Sequence, residues 1–114
     1  MAGAIAVSLH DRLVASRWIQ GTRVGENYDV TAEGSRALGS LGVDVEAARA
    51  QRRRFAFACL DWSERRPHVG GSLGAALLAL ALKRKWVARE LDSRALSVTA
   101  LGRREMRARF GLEI

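Results

Sequence analysis

Two stretches, Val30-Thr31-Ala32-Glu33-Gly34-Ser35-Arg36 and Val98-Thr99-Ala100-Leu101-Gly102-Arg103-Arg104, decide how this chain is read. They carry one element twice, 68 positions apart, and the register between them extends in both directions. Upstream, Gly3 falls on Gly71, Leu9 on Leu77 and Trp18 on Trp86, with Ile5 against Leu73 and Ile19 against Val87. Downstream, Leu38 falls on Met106, and one inserted residue brings Gly42-Val43-Asp44-Val45 onto Gly111-Leu112-Glu113-Ile114. Tryptophan is rare, so two of them in register outweigh any matched alanine or leucine. A fixed internal period marks a structural unit built more than once.

Each copy reads as the same small unit. A helix comes first, with Ile5, Leu9, Leu13 and Val14, or Leu73, Leu77, Leu80 and Leu82, recurring at helical spacing. It ends near the Trp, and two short strands follow around a polar turn: Trp18-Ile19-Gln20 with Tyr28-Asp29-Val30, and Trp86-Val87-Ala88 with Leu96-Ser97-Val98. Thr31 and Thr99 then stand where a hydroxyl would accept an orphan backbone N–H at the start of a second helix. Gly42 and Gly111 suit left-handed caps at its end. The expected fold is α+β, with two winged-helix-like repeats (helix, two-stranded wing, helix) at 1–45 and 69–114. A connecting helix and a Cys-to-His segment at 46–68 join them into one compact domain.

In that connector, Asp44 is expected to cap a helix running from Val45 to about Arg53, which puts Arg52-Arg53-Arg54 at the end that the helix dipole favours for cations. Phe55 to Leu60 is an apolar stretch that suits a strand or a helix equally, and Pro67 is expected to break regular structure before the second copy. The expected core is Ile5, Leu9, Leu13, Trp18, Ile19, Val30, Leu38, Phe55, Phe57, Leu73, Leu77, Leu80, Trp86, Val87, Val98, Met106 and Phe110.

A chain of 114 residues with 48% hydrophobic and 27% charged residues makes a globular domain and not a disordered tail. Its 19 Lys+Arg against 12 Asp+Glu give a net charge of +7, and only Lys83 and Lys85 among the basic residues are lysines. An arginine excess points to nucleic acid, anionic lipid or an acidic partner. A single cysteine, Cys59, excludes an internal disulfide framework and suits a reducing cytoplasm. The apolar start is broken by His10-Asp11-Arg12, which argues against a signal peptide. The longest apolar run, Leu73 to Leu82, is about half of a membrane span. A cytoplasmic protein without membrane partners is expected.

The string Cys59-Leu60-Asp61-Trp62-Ser63-Glu64-Arg65-Arg66-Pro67-His68, then Gly71-Ser72-Leu73-Gly74-Ala75-Ala76-Leu77, carries a family resemblance. So do Trp86-Val87, Ser93-Arg94-Ala95-Leu96 and Val98-Thr99-Ala100-Leu101-Gly102-Arg103-Arg104. Together they resemble the C-terminal part of bacterial arsenic-repressor-type (ArsR) winged-helix transcriptional regulators. The resemblance implies a DNA-binding winged helix upstream of the region seen here, and Met1 aligns with Val69, inside a repeat. An excised C-terminal region, or an internal start, is the expectation. The implied partners are DNA in the full-length regulator and a second copy in a homodimer, since a two-fold protein matches a two-fold operator. The implied role for this region is dimerisation or effector sensing in a repressor. The alternative is a self-sufficient helix-turn-helix module that touches DNA through its arginines.

Three sets of residues are candidates for that role. Arg52, Arg53, Arg54, Arg65 and Arg66, with Arg103 and Arg104 on the last helix, would hold phosphates or another anion through the guanidinium fork. Cys59, Asp61, Glu64 and His68 mix thiolate, carboxylate and imidazole, which would suit Zn²⁺ or another divalent metal ion as cofactor or effector. The third set is the face that would read bases. The second copy's leading helix is apolar on every side, which means burial, whereas the first copy's offers Ser8, His10, Asp11, Arg12, Ala15, Ser16 and Arg17 outward. Ser63 or Cys59 near His68 has no second acid–base set beside it, so the sequence points away from an enzyme.

Overall fold

Each of the two threonine elements starts a helix in the same way. In the computed structural model, which describes residues 4–21, 27–61, 64–90 and 96–112, Thr31 Oγ1 accepts from Gly34 N at 3.0 Å and donates to Arg17 O at 2.7 Å. Thr99 Oγ1 accepts from Gly102 N at 2.9 Å and donates to Lys85 O at 2.6 Å. One hydroxyl thus satisfies an orphan donor of the new helix and ties it to the end of the preceding one. The glycine of each element is required by close approach. A Cβ on Gly34 would run into the Trp18 carbonyl oxygen, and one on Gly102 into that of Trp86.

Around those anchors the element order is α1 (Ala4–Ala15), β1 (Ile19–Gln20), β2 (Asp29–Val30), α2 (Ala32–Leu41), α3 (Val45–Arg49), β3 (Phe57–Asp61), β4 (Arg66–Gly70), α4 (Gly71–Lys83), β5 (Val87–Arg89), β6 (Leu96–Val98) and α5 (Ala100–Phe110). The strands form three separate antiparallel pairs, β1 with β2, β3 with β4 and β5 with β6. Ile19 faces Val30 and Val87 faces Val98. Arg17 and Lys85 both turn the chain out of a helix in the left-handed region, at φ 59° and φ 60°. The helices α2 and α5 both end on a left-handed glycine, Gly42 and Gly111.

The hydrophobic core is continuous through both halves. Leu13, Ile19, Leu38, Leu73 and Met106 are its most fully buried apolar side chains. Phe110 links the halves, meeting Trp18 edge-on at 6.1 Å and Trp86 at 6.2 Å between ring centroids. Such edge-to-face pairs add about 0.5–1.5 kcal/mol beyond the area they bury. A second link is built twice: Arg12 of α1 donates from Nε to Phe110 O at 2.8 Å, and Arg84 at the end of α4 donates to Leu41 O at 2.9 Å. In each case an arginine holds the last carbonyl before a left-handed glycine, where the helix dipole favours a cation.

The connector differs from expectation. Asp44 does cap α3, accepting from Ala47 N at 2.9 Å, but the helix stops at Arg49; Arg52 and Arg53 lie beyond it in a bend and Arg54 follows that bend. The carbonyls of Arg54 and Phe55 accept from Ser72 N at 2.9 Å and Leu73 N at 2.7 Å. Those bonds serve the first turn of α4 and fix the chain leaving the bend against that helix. Phe55-to-Leu60 resolves as the entry to strand β3, and Pro67 lies inside β4 opposite Leu60 instead of breaking structure. Both strands of a two-stranded ribbon have an unpaired edge, to which a proline turns its missing N–H.

Strand parity also corrects the core. Ala58 and Val69 are buried, so Phe57, one residue along, lies on the opposite face and is only half-buried. Its ring covers Gly70, where a Cβ would meet it at 2.7 Å, and the Arg54 guanidinium stacks on it at 4.1 Å. Phe55 is half-buried against the core beneath Arg49. Helix α4 is not buried all round, since Ala75 and Ala79 are exposed. No helix among the described residues is long and apolar enough to cross a membrane.

Candidate functional site

The β3–β4 hairpin carries most of the candidate residues, and its register decides which of them meet. Cys59 lies directly opposite His68, and Asp61 opposite Arg66. Cys59 and His68 are both half-buried, whereas Glu64 is exposed in the turn; the Asp61 side chain lies outside the described residues. No group of three or more His, Cys, Asp and Glu is gathered among the described residues. A structural zinc takes four ligands, so the described part of this set does not complete such a site.

The arginines do not converge. Arg54 sits at the Phe57 end of the hairpin, where its Nε and Nη2 donate to Asn27 Oδ1 at 3.1 and 2.7 Å. Arg65, left-handed at φ 55°, and Arg66 lie at the other end, roughly 13 Å away at the usual rise of a five-residue strand. Arg66 pairs with Asp11 of α1. Arg52 and Arg53 are exposed in the bend after α3, and Arg103 and Arg104 are exposed on α5. Arg109, lower on α5, donates to Glu105 at 2.8 Å. The result is a distributed basic surface and no single anion pocket built from the seven expected arginines.

One polar constellation escaped the sequence reading. His10, expected on the outer face of α1, is buried at 5% exposure. Its Nε2 and the Tyr28 hydroxyl share a hydrogen bond at 2.7 Å, and its Nδ1 lies 3.0 Å from Asp11 Oδ1. With Arg66 on the other Asp11 oxygen, the chain Arg66–Asp11–His10–Tyr28 ties α1 to β4 and to the approach to β2. The signal was present: Ala6, His10 and Leu13 fall at helical spacing, and all three are buried. Position 68 residues on from His10 is Leu78, and from Tyr28 it is Leu96; both leucines pack against the core. A buried polar pair in one half therefore stands where the other half has an apolar pair.

The helices that lead into β1–β2 and β5–β6, α1 and α4, present little that would read base edges. The exposed residues of α1 are Ala4, Arg12 and Ala15, and Arg12 is drawn onto α5. Those of α4 are Ala75, Ala79 and Lys83. Major-groove readout needs polar side chains free to reach the groove floor.

No protein-family model and no solved structure matches the chain. The chain is 39% identical over 103 residues to the uncharacterized HTH-type transcriptional regulator YdfF of Bacillus subtilis (strain 168). That match takes in 90% of this chain and 45% of the relative, so the chain spans less than half of that relative's length. The likeness is therefore to one part of a protein that is named a helix-turn-helix-type transcriptional regulator, with more than half of that protein unmatched.

Proposed function

We propose that this chain is the dimerisation and effector-sensing region of a bacterial winged-helix transcriptional regulator of the arsenic-repressor type, acting in the cytoplasm. The observation that carries the reading is the 39% identity to a helix-turn-helix regulator across 90% of the chain. In this reading the chain is two winged-helix-like units, 1–45 and 69–114, packed through α1 on the end of α5 and α4 on the end of α2. The recurrence of the Thr cap and the Trp–Gly approach at matching positions supports it, and an arginine holds the last carbonyl of α2 and of α5, though Arg84 and Arg12 come from different positions of the repeat. DNA is the partner of the whole regulator, and a homodimer is its working form.

Within that reading, Arg52, Arg53, Arg54, Arg65, Arg66, Arg103 and Arg104 contribute sequence-independent attraction to phosphate, which gives affinity without specificity. Cys59 and His68, with Asp61 and Glu64 near them in sequence, are the contact points for a metal effector. Elemental analysis of protein purified without a His tag, with a thermal shift in Zn²⁺, tests that arm. The exposed arginines of α5 favour a second reading, a self-sufficient DNA-binding module. A gel-shift titration of the chain against salt separates the two. The first reading expects weak binding, indifferent to sequence and lost by about 0.2 M salt; tight, selective binding that survives it supports the second.

A further inference from the structure

The two arginine links between the halves each border a cavity of about 310 Å³, and the two cavities differ in chemistry. Beside Arg84 the walls hold Ala76, Ala79 and Leu80 together with Asp44, Lys83 and Arg84, and no aromatic ring. Beside Arg12 they are aromatic and cationic: Arg12, Ser16 and Trp18 from the first half face Ala108, Arg109 and Phe110 from the second. This volume lies at the small end of ligand pockets, with room for one compact ring system and not for a dinucleotide.

We propose that the cavity between α1 and the end of α5 binds a small planar aromatic carboxylate. Arg12 is the anchor. Its Nε is held by Phe110 O at 2.8 Å, which sets the guanidinium, while neither terminal nitrogen makes a hydrogen bond among the described residues. A guanidinium held by one edge and open at another takes a carboxylate through charge-assisted bonds. Arg109 adds a weaker attraction, because Glu105 already accepts from its Nε. Trp18 is half-buried and meets Phe110 edge-on, so a ring entering beside them finds an aromatic wall and not open solvent. At the matching positions of the other half, Leu80 replaces Arg12 and Leu41 replaces Phe110, which leaves that cavity without this combination. Because the site is made by both halves, its occupant holds them in one relative arrangement. That this makes the ligand an effector rests on the regulator reading; the binding itself does not.

The test is a ¹⁵N-resolved NMR titration of the whole chain with 2-naphthoate, and in parallel with its neutral amide. Saturable binding is expected, roughly tenfold tighter for the acid than for the amide, with shifts centred on Ser16, the Trp18 indole and Ala108. Ala108 is exposed, so Ala108→Leu leaves the fold intact while filling the cavity, and it abolishes binding. Arg12→Gln weakens the acid about tenfold and leaves the amide unchanged. Absence of saturation at millimolar ligand, equal binding of acid and amide, shifts centred on Ala76 and Ala79, or undiminished binding by Ala108→Leu would each overturn the inference. None of these outcomes bears on DNA binding, so they leave the regulator reading standing; selective, salt-resistant DNA binding would overturn that reading and leave the site intact.

Discussion

Among the described residues, the segments around Thr31 and Thr99 share the same local geometry but have different interiors. In both, a threonine caps the second helix, a glycine lies against a tryptophan carbonyl and a left-handed glycine ends the helix. What differs is the filling. The first half encloses the His10–Tyr28 pair and leaves Trp18 half-buried; the second has Leu78 and Leu96 at those positions and buries Trp86 to 4% exposure. The repeated residues are those whose geometry admits few substitutes: a hydroxyl at a cap, a residue without a side chain at a close approach. The interior residues are interchangeable provided they fill the space and leave no buried polar atom unpaired.

The largest effect should come from the glycines. Gly34→Ala and Gly102→Ala each place a methyl group on a backbone oxygen that cannot move aside without shifting a strand, and each should cost about 3 kcal/mol in urea unfolding. Similar losses sharpen the comparison; a tolerant site at either position breaks it. Phe110→Ala, which removes the ring shared by Trp18 and Trp86, should cost about 3–4 kcal/mol. It should also alter the near-ultraviolet dichroism of both indoles, whereas a change confined to one would mean the halves are joined elsewhere.

The interiors give a sharper test. Tyr28→Leu alone leaves the buried His10 Nε2 without its partner and should cost about 2 kcal/mol. His10→Leu with Tyr28→Leu converts the first interior to the pattern of the second and should cost distinctly less than the two single changes added together. Strict additivity would mean that the pair is not coupled. The smallest effect, about 1 kcal/mol each, is expected for Thr31→Ala and Thr99→Ala, read as paired losses of one cap.

The parts legible in the sequence were those written in short windows. Thr31, Thr99, Asp44, Gly42 and Gly111 each act on residues within one turn, and their roles follow from residue type and spacing. What escaped depends on distant partners. The bend that carries Arg52 and Arg53 leads into the Arg54 and Phe55 carbonyls bonded by α4, a distant partner that nothing near those arginines announces. The face taken by Phe57 follows from a pairing with Gly70 that the apolar run leaves open. The Arg12 and Arg84 links join residues 98 and 43 positions apart, and an arginine at a helix end reads the same whether it meets water or a carbonyl. Of the candidate site, the Cys59–His68 juxtaposition needed the hairpin register, and Arg66 found Asp11 where Asp61 and Glu64 were its neighbours in sequence.

In the proposed reading neither α1 nor α4 is offered to DNA. Amide shift mapping of the ¹⁵N-labelled chain against DNA duplexes of different sequence, at low and moderate salt, addresses it directly. Small, sequence-independent and salt-sensitive shifts are predicted on α5 and around Arg52 to Arg54, with α1 and α4 silent. Sequence-dependent shifts on the outer face of α1 or α4 that persist at moderate salt would contradict it.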